Sequence, residues 1–306
     1  MRTRPLGSSA LQVTVVGLGC NNFGGRIDEA ASRAVIDAAL EAGITFFDTA
    51  DVYGNRGGSE EIIGRALGGR RDQVVLATKF GSDMGTGETA RGSRSYIRTA
   101  VEASLRRLQT DRIDLLQYHS PDEVTPIEET LDALDELVRD GTVRAIGSSN
   151  FSPSLVEDAR TVSVAGSLTP FVSEQSEYSW LVRDAEDELL PTCERLGIGF
   201  IPYFPLASGL LTGKYSLGAA APEGTRLHGR ELDEERLTKV ERLQAWAEEH
   251  GCTLLDVAIG GLAAQPGVAS VIAGATKPEQ VRANARAGHW EPTSEELESL
   301  RAAAAD

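Results

Sequence analysis

The chain has 306 residues, 41% of them hydrophobic and 25% charged, which is enough apolar material for a substantial core without disulfide or metal support. A formal charge of −16 disfavours nucleic acid and anionic membrane as partners, since both demand a basic surface, and no apolar run approaches the ~18 residues of a membrane span. Cys20, Cys193 and Cys252 show no CxxC spacing, arguing against a disulfide framework or a thiolate zinc site; with no apolar leader in MRTRPLGSSALQV, they predict a cytoplasmic protein.

In chain order, Arg2–Val13 holds a Gly-Ser turn between two short runs and reads as a hairpin plugging one end of the fold. Eight strand-like runs then alternate with helical patterns: Val15–Leu18, Ile44–Asp48, Val74–Lys79, Ile113–His119, Val143–Gly147, Phe171–Gln175, Gly199–Tyr203 and Ser270–Ala273. Several are nearly continuous apolar runs, as parallel strands buried on both faces require. Helix starts are marked by Ser93, by Thr125 with Pro126, by Ser152 with Pro153, and by a capping box at Thr293 and Glu296 before Ser294–Ala304. Gly43 and Gly197 sit where a helix gives way to a strand, as left-handed caps. The pattern predicts an α/β protein, a single (β/α)8 TIM barrel over residues 1–306 with an N-terminal β-hairpin cap. Gly81–Arg91 and Ser208–Glu231 are the long loops expected over its active face, the second a candidate lid.

Ionisable residues recur at the C-terminal ends of these runs, where a barrel keeps its chemistry. Asp48 ends ITFFD, Lys79 ends VVLATK, His119 ends IDLLQYH, and Tyr53 follows in DTADVYG. Each has an ordinary structural use: a cap for Asp48, a snorkelling amine for Lys79, a bonded core imidazole for His119, a loop aromatic for Tyr53. Together they are the parts of a proton-delivery device. A free phenol is too weak an acid near neutrality, and a Lys79 ammonium held by Asp48 is expected to lower the Tyr53 pKa while His119 donates to the substrate oxygen. No side chain supplies a hydride, so the device calls for a reduced nicotinamide.

FFDTADVYGNRGGSE, LLQYHSPD and VRAIGSSNFSP, in that order within a match from Gly17 to Asn284, resemble the aldo-keto reductase superfamily. The resemblance implies that Asp48, Tyr53, Lys79 and His119 are a catalytic tetrad for reducing a small-molecule carbonyl with NADP(H), NAD(H) being the less favoured cofactor. It further implies that Ser149, Asn150 and Gln175 bind the nicotinamide carboxamide and that Tyr203 stacks on its ring. Leu206, Ser208, Gly209, Leu210 and Lys214 then fall in the segment wrapping the pyrophosphate, and Gly274, Thr276, Lys277, Gln280 and Asn284 at the adenosine end. Taken alone, Ser149-Asn150 is also a turn before a helix and Gln175 a strand-end amide. Gln280 stands where many NADPH-preferring members carry arginine, leaving Lys277 for the 2′-phosphate, and Cys20-Asn21-Asn22 suggests a polar floor for the substrate pocket.

Other barrel chemistries have less support. A metal hydrolase needs several ligands at strand ends, but His228, His250 and His289 fall in loops or helices; no metal site is expected. A glycosidase needs two facing carboxylates, and only Glu174 accompanies Asp48. A cofactor-binding regulatory subunit of the same fold, like the potassium-channel beta subunits of the superfamily, stays open as the alternative, as does a homo-oligomer.

Overall fold

The computed structural model describes residues 1–305 and shows eight parallel strands wound into a barrel. The strands are β3 (Val16–Gly19), β4 (Phe46–Asp48), β5 (Val75–Phe80), β6 (Ile113–Tyr118), β7 (Val143–Ser149), β8 (Ser173–Glu177), β9 (Gly199–Tyr203) and β10 (Val271–Gly274). They pair in sequence order, and β10 returns to β3 in the register Val271↔Val16. The seam between β9 and β10 is closed just before β10, where the Phe200 amide donates to Gly267 and the Ala269 amide to Phe200, both at 2.8 Å. All eight runs read from the sequence are barrel strands.

Crossover helices cover the outside: α1 (Glu29–Glu41), α2 (Tyr53–Leu67), α3 (Arg94–Leu108), α4 (Ile127–Arg139), α5 (Pro153–Gly166), α6 (Leu189–Leu196), α7 (Glu234–Glu249), α8 (Leu254–Asp256, continuing into a π turn over Val257–Gly261), α9 (Pro278–Ala287) and α10 (Ser294–Ala303). Ser152 caps α5 through the Leu155 amide, and Thr293 and Glu296 form the capping box of α10. The expected cap at Thr125 is not made. Its amide and hydroxyl are both bound to the Asp122 carboxylate, so the helix starts two residues later at Ile127.

The antiparallel hairpin of β1 (Thr3–Pro5) and β2 (Gln12–Thr14) closes the N-terminal end. Its Leu6, Leu11 and Val13 pack against the inward side chains Phe46, Ala77, Leu115, Ala145, Ile201 and Ile272. This end is filled by apolar side chains. The polar inward residues lie at the other end, which positions the site.

Candidate active site

The C-terminal ends of β4, β5, β6 and β8 bring four polar chains to one point. Asp48 is the last residue of β4, and its Oδ1 accepts from Lys79 Nζ at 2.5 Å. Its Oδ2 accepts from Gln117 Nε2 at 3.0 Å and Gln175 Nε2 at 2.9 Å, while Lys79 also donates to the Thr49 carbonyl at 2.9 Å. Both charges are removed from water: Lys79 is 0% and Asp48 2% exposed.

Tyr53 opens α2, with Lys79 Nζ 5.3 Å from its ring centroid and the His119 ring edge-on at 5.7 Å. The chain then makes an unusual turn, with Gly54, Asn55, Arg56 and Gly57 all at positive φ. A Cβ at Gly54 would sit 2.5 Å from both the Phe23 carbonyl oxygen and the Ser59 amide nitrogen, so only glycine fits. Asn55 and Arg56 hold a left-handed conformation that costs non-glycine residues about 1–2 kcal/mol each, a local strain at the proton-donor candidate. His119 continues the β6 ladder through its amide to the Phe80 carbonyl at 2.8 Å, and its Nδ1 pairs with Ser82 Oγ at 2.8 Å, leaving Nε2 to address a ligand.

Electrostatics correct one expectation. Burial raises the Tyr53 pKa, and the opposing Lys79 ammonium only partly offsets it, so the phenol stays a neutral donor and is not driven toward phenolate. Burial also disfavours charge on Lys79, but Asp48 and Tyr53 overcome it and the net shift is upward. His119 is pushed down to about 3 by burial and by Lys79, which makes it a neutral imidazole at any working pH.

Above these groups lies a cavity of about 750 Å³, within the ~300–1,000 Å³ of ligand clefts. Asp48, Tyr53 and His119 line it; Lys79 stands behind them. Ser149, Asn150, Gln175, Tyr203, Leu206, Ser208, Gly209, Lys214, Gly274, Thr276, Lys277, Gln280 and Asn284 all border it, so these residues converge as expected. Leu210 does not. The left-handed Ser208 and Gly209 turn its side chain inward, where it is 5% exposed in the core. Asn150 organises the floor: its Oδ1 accepts from the Tyr203 hydroxyl and its Nδ2 donates to the His119 carbonyl, each at 2.9 Å. Cys20, Asn21 and Asn22 also border the cavity, where Asn21 and Asn22 pack against Gly274 and the Asn22 amide donates to the Ala275 carbonyl at 3.3 Å.

Two cationic wall residues escaped the sequence reading: Arg26, from the loop after β3, and Arg226, from the loop after β9, whose guanidinium lies 5.1 Å from the Phe204 ring. Neither has periodicity or motif to betray it. With Lys214 and Lys277 they put four cations on one cavity of a strongly acidic chain, and none of the four forms an ion pair among the described residues. The bare Cα of Gly209, at φ 93°, lets Lys214 lie against it, since a Cβ there would meet Nζ at 2.5 Å. A cleft with a flat aromatic near the tetrad and cations free of ion pairs on its wall suits a dinucleotide phosphate.

The carboxylates on the cavity wall are Asp48, committed to Lys79, and Glu223. Glu174 faces away, accepting from Ser148, Ser176 and the Phe151 amide. Among the described residues no three His, Cys, Asp or Glu chains converge as metal ligands, and no helix is long and apolar enough to cross a membrane.

The profile of the Aldo/keto reductase family matches residues 15–305. The uncharacterized oxidoreductase YrpG of Bacillus subtilis is 41% identical over 289 residues, 90% of this chain and 88% of the relative. A probable voltage-gated potassium channel subunit beta of Arabidopsis thaliana is 38% identical over 301 residues, 94% of this chain and 91% of the relative. Its counterpart in Oryza sativa is 37% identical over 300 residues, with the same two coverages of 94% and 91%.

Proposed function

Because the chain belongs to the aldo/keto reductase family, we propose that it is an NADP(H)-dependent oxidoreductase that reduces an aldehyde or ketone to an alcohol, with Tyr53 as proton donor. The observation that carries this is the buried Asp48–Lys79 pair beside Tyr53, under a cavity whose cations are unpaired. When bound, the reduced nicotinamide supplies the hydride. Tyr203 offers it a face, Ser149, Asn150 and Gln175 its carboxamide contacts, Lys214 and Arg226 its phosphates, and Lys277 and Gln280 the far end.

The protein's own part is proton delivery and orientation. A carbonyl oxygen placed between Tyr53 and His119 receives hydrogen bonds from two neutral donors. As negative charge develops on that oxygen, the Tyr53 proton moves to it, and Lys79 stabilises the phenolate left behind. Asp48 and the two glutamine amides hold Lys79 charged and fixed through that step. The depressed His119 pKa keeps its Nε2 from competing as a stronger acid.

The relatives named as potassium channel beta subunits favour a second reading, a regulatory subunit that binds cofactor and turns over poorly. One experiment separates the two. NADPH oxidation is followed with aromatic aldehydes, ketones and quinones for the wild type and Tyr53→Phe. Loss of about 10²–10⁴-fold in kcat with unchanged NADPH affinity supports proton donation. Tight NADPH binding without steady turnover of any carbonyl supports the regulatory reading.

A further inference from the structure

Directly behind the site lies a carboxyl group that the chemistry above does not use. Asp51 stands between Asp48 and Tyr53 in the β4–α2 connection, and its amide donates to the Lys79 carbonyl at 3.1 Å. Its side chain is 1% exposed, and neither carboxyl oxygen has a hydrogen-bond partner among the described residues. Buried polar groups in native folds are nearly always satisfied, so an orphaned pair of oxygens beside a reaction centre calls for an explanation.

The groups facing Asp51 are Glu60 from α2, Arg107 and Tyr96 from α3, and Lys79 from β5. The hydrogen bonds these side chains make go to other partners. Arg107 donates Nε to Glu60 Oε2 at 2.7 Å and Nη2 to Ser104 Oγ at 3.3 Å. Tyr96 donates to the Ser82 carbonyl at 3.3 Å, and Lys79 to Asp48 and Thr49. An ionised Asp51 therefore has a like charge in Glu60 and no side chain donating to it; the Val52 amide and the Arg107 and Lys79 charges oppose burial only in part, which leaves the uncharged form favoured into the neutral range. Burial first and Glu60 second raise its pKa to about 7.

Arg107 is also what lies under the left-handed turn after Tyr53. Its Cδ is 2.5 Å from where a Cβ on Gly57 would stand, so the aliphatic stem fills the space below that turn. We propose that Asp51 is a positioning residue for the proton donor: uncharged, it leaves Arg107 on Glu60 and the turn propped; ionised, it draws Arg107 toward itself and slackens the turn that sets Tyr53. This rests on the reading of Tyr53 as proton donor and assigns the alkaline side of its pH dependence to a residue that never touches substrate.

The test is Asp51→Asn, isosteric and permanently neutral, with Asp51→Ser as a second neutral variant should the first fold poorly. For wild type, kcat for carbonyl reduction is expected to fall above about pH 7, approaching tenfold per pH unit for a single ionisation, with KM for NADPH little changed. In the neutral variants the fall is absent up to about pH 9. A residue with a purely structural role would scale kcat equally at every pH, and that outcome overturns the proposal. A second readout needs no turnover. After correction for intrinsic rates, hydrogen exchange of the 54–57 amides should accelerate above neutrality in the wild type and stay flat in the variants. Identical exchange profiles overturn the proposal, whereas altered exchange in a protein that reduces no carbonyl upholds the Asp51 device and rejects the reductase reading.

Discussion

Replacing Lys79 by methionine would isolate the difference between what the buried ion pair does for stability and what it does for chemistry. The substitution leaves the Asp48 carboxylate, 2% exposed, with only the Gln117 and Gln175 amides as donors. Breaking one side of a buried pair costs about 3–5 kcal/mol, because the remaining charge is unanswered in a poor solvent. At roughly 2 °C per kcal/mol for a chain of this size, Tm should drop by about 6–10 °C. Asp48→Asn together with Lys79→Met removes both charges while an amide still accepts and donates in place. The double variant should recover to within about 1–2 kcal/mol of wild type, since a neutral replacement of a buried pair is often harmless. Denaturant midpoints read from Trp180, Trp246 and Trp290 fluorescence close the cycle, and NADPH oxidation should be lost in single and double variants alike. A double variant no more stable than Lys79→Met would refute the account, because the cost would then lie in packing around the lysine stem.

Three further variants test the cofactor end. Lys277→Ala should weaken NADP binding by about 10–100-fold, the worth of a charge-assisted phosphate contact, and leave NAD binding nearly untouched. Arg226→Ala should weaken both dinucleotides alike in calorimetric titration; equal NADP and NAD losses for Lys277→Ala would remove it from the 2′-phosphate. Gly209→Ala adds a Cβ where Lys214 Nζ lies, at a φ of 93° that side chains rarely adopt. It should raise Kd for either dinucleotide several-fold and leave the Tyr53–Lys79 geometry, and hence kcat at saturation, unchanged; an unaltered Kd would show that Lys214 does not contact the ligand.

The barrel was legible because parallel strands buried on both faces announce themselves as apolar runs such as Val74-Val75-Leu76-Ala77, and because strand ends are the one place where Asp48, Lys79 and His119 have no stabilising reason to be. Legibility failed where tertiary competition decides. Thr125 was captured by Asp122 instead of the helix, and Leu210 was rotated inward by two left-handed neighbours that leave no trace in composition. The same holds for the π turn at Val257–Gly261, where Trp180 Nε1 takes the Val257 carbonyl at 2.7 Å and Gly261 makes room for its ring. The sign of the Tyr53 shift needed burial as well as neighbours, because desolvation and the Lys79 charge oppose each other there. Arg26 and Arg226 sit in irregular loops, and only the folded path brings them to the same cavity.

Buried ionisable groups differ between the two ends of the barrel: Asp114, 1% exposed near the start of β6, is answered by Arg71 and Arg144, whereas those around the cavity include an orphaned carboxyl. Asp48, Asp51, Glu60, Lys79 and Glu174 are each at most 2% exposed, and each lies at or beside the C-terminal half of the strand layer. At the opposite end the hairpin contributes Leu6, Leu11 and Val13 to a wholly apolar plug. Buried charges seldom repay their desolvation, least of all when a carboxyl is left without a partner. Holding an ammonium and an orphaned carboxyl around one phenol is costly to the fold, and the proposed proton transfer from Tyr53 is what would use them. A regulatory protein that merely bound a dinucleotide would need the cations of the cavity wall but not the charges behind Tyr53, and neutralising those charges would leave its ligand affinity intact. The Asp48–Lys79 double variant therefore also discriminates between the two functions, with cofactor affinity preserved in both and a catalytic loss possible in only one.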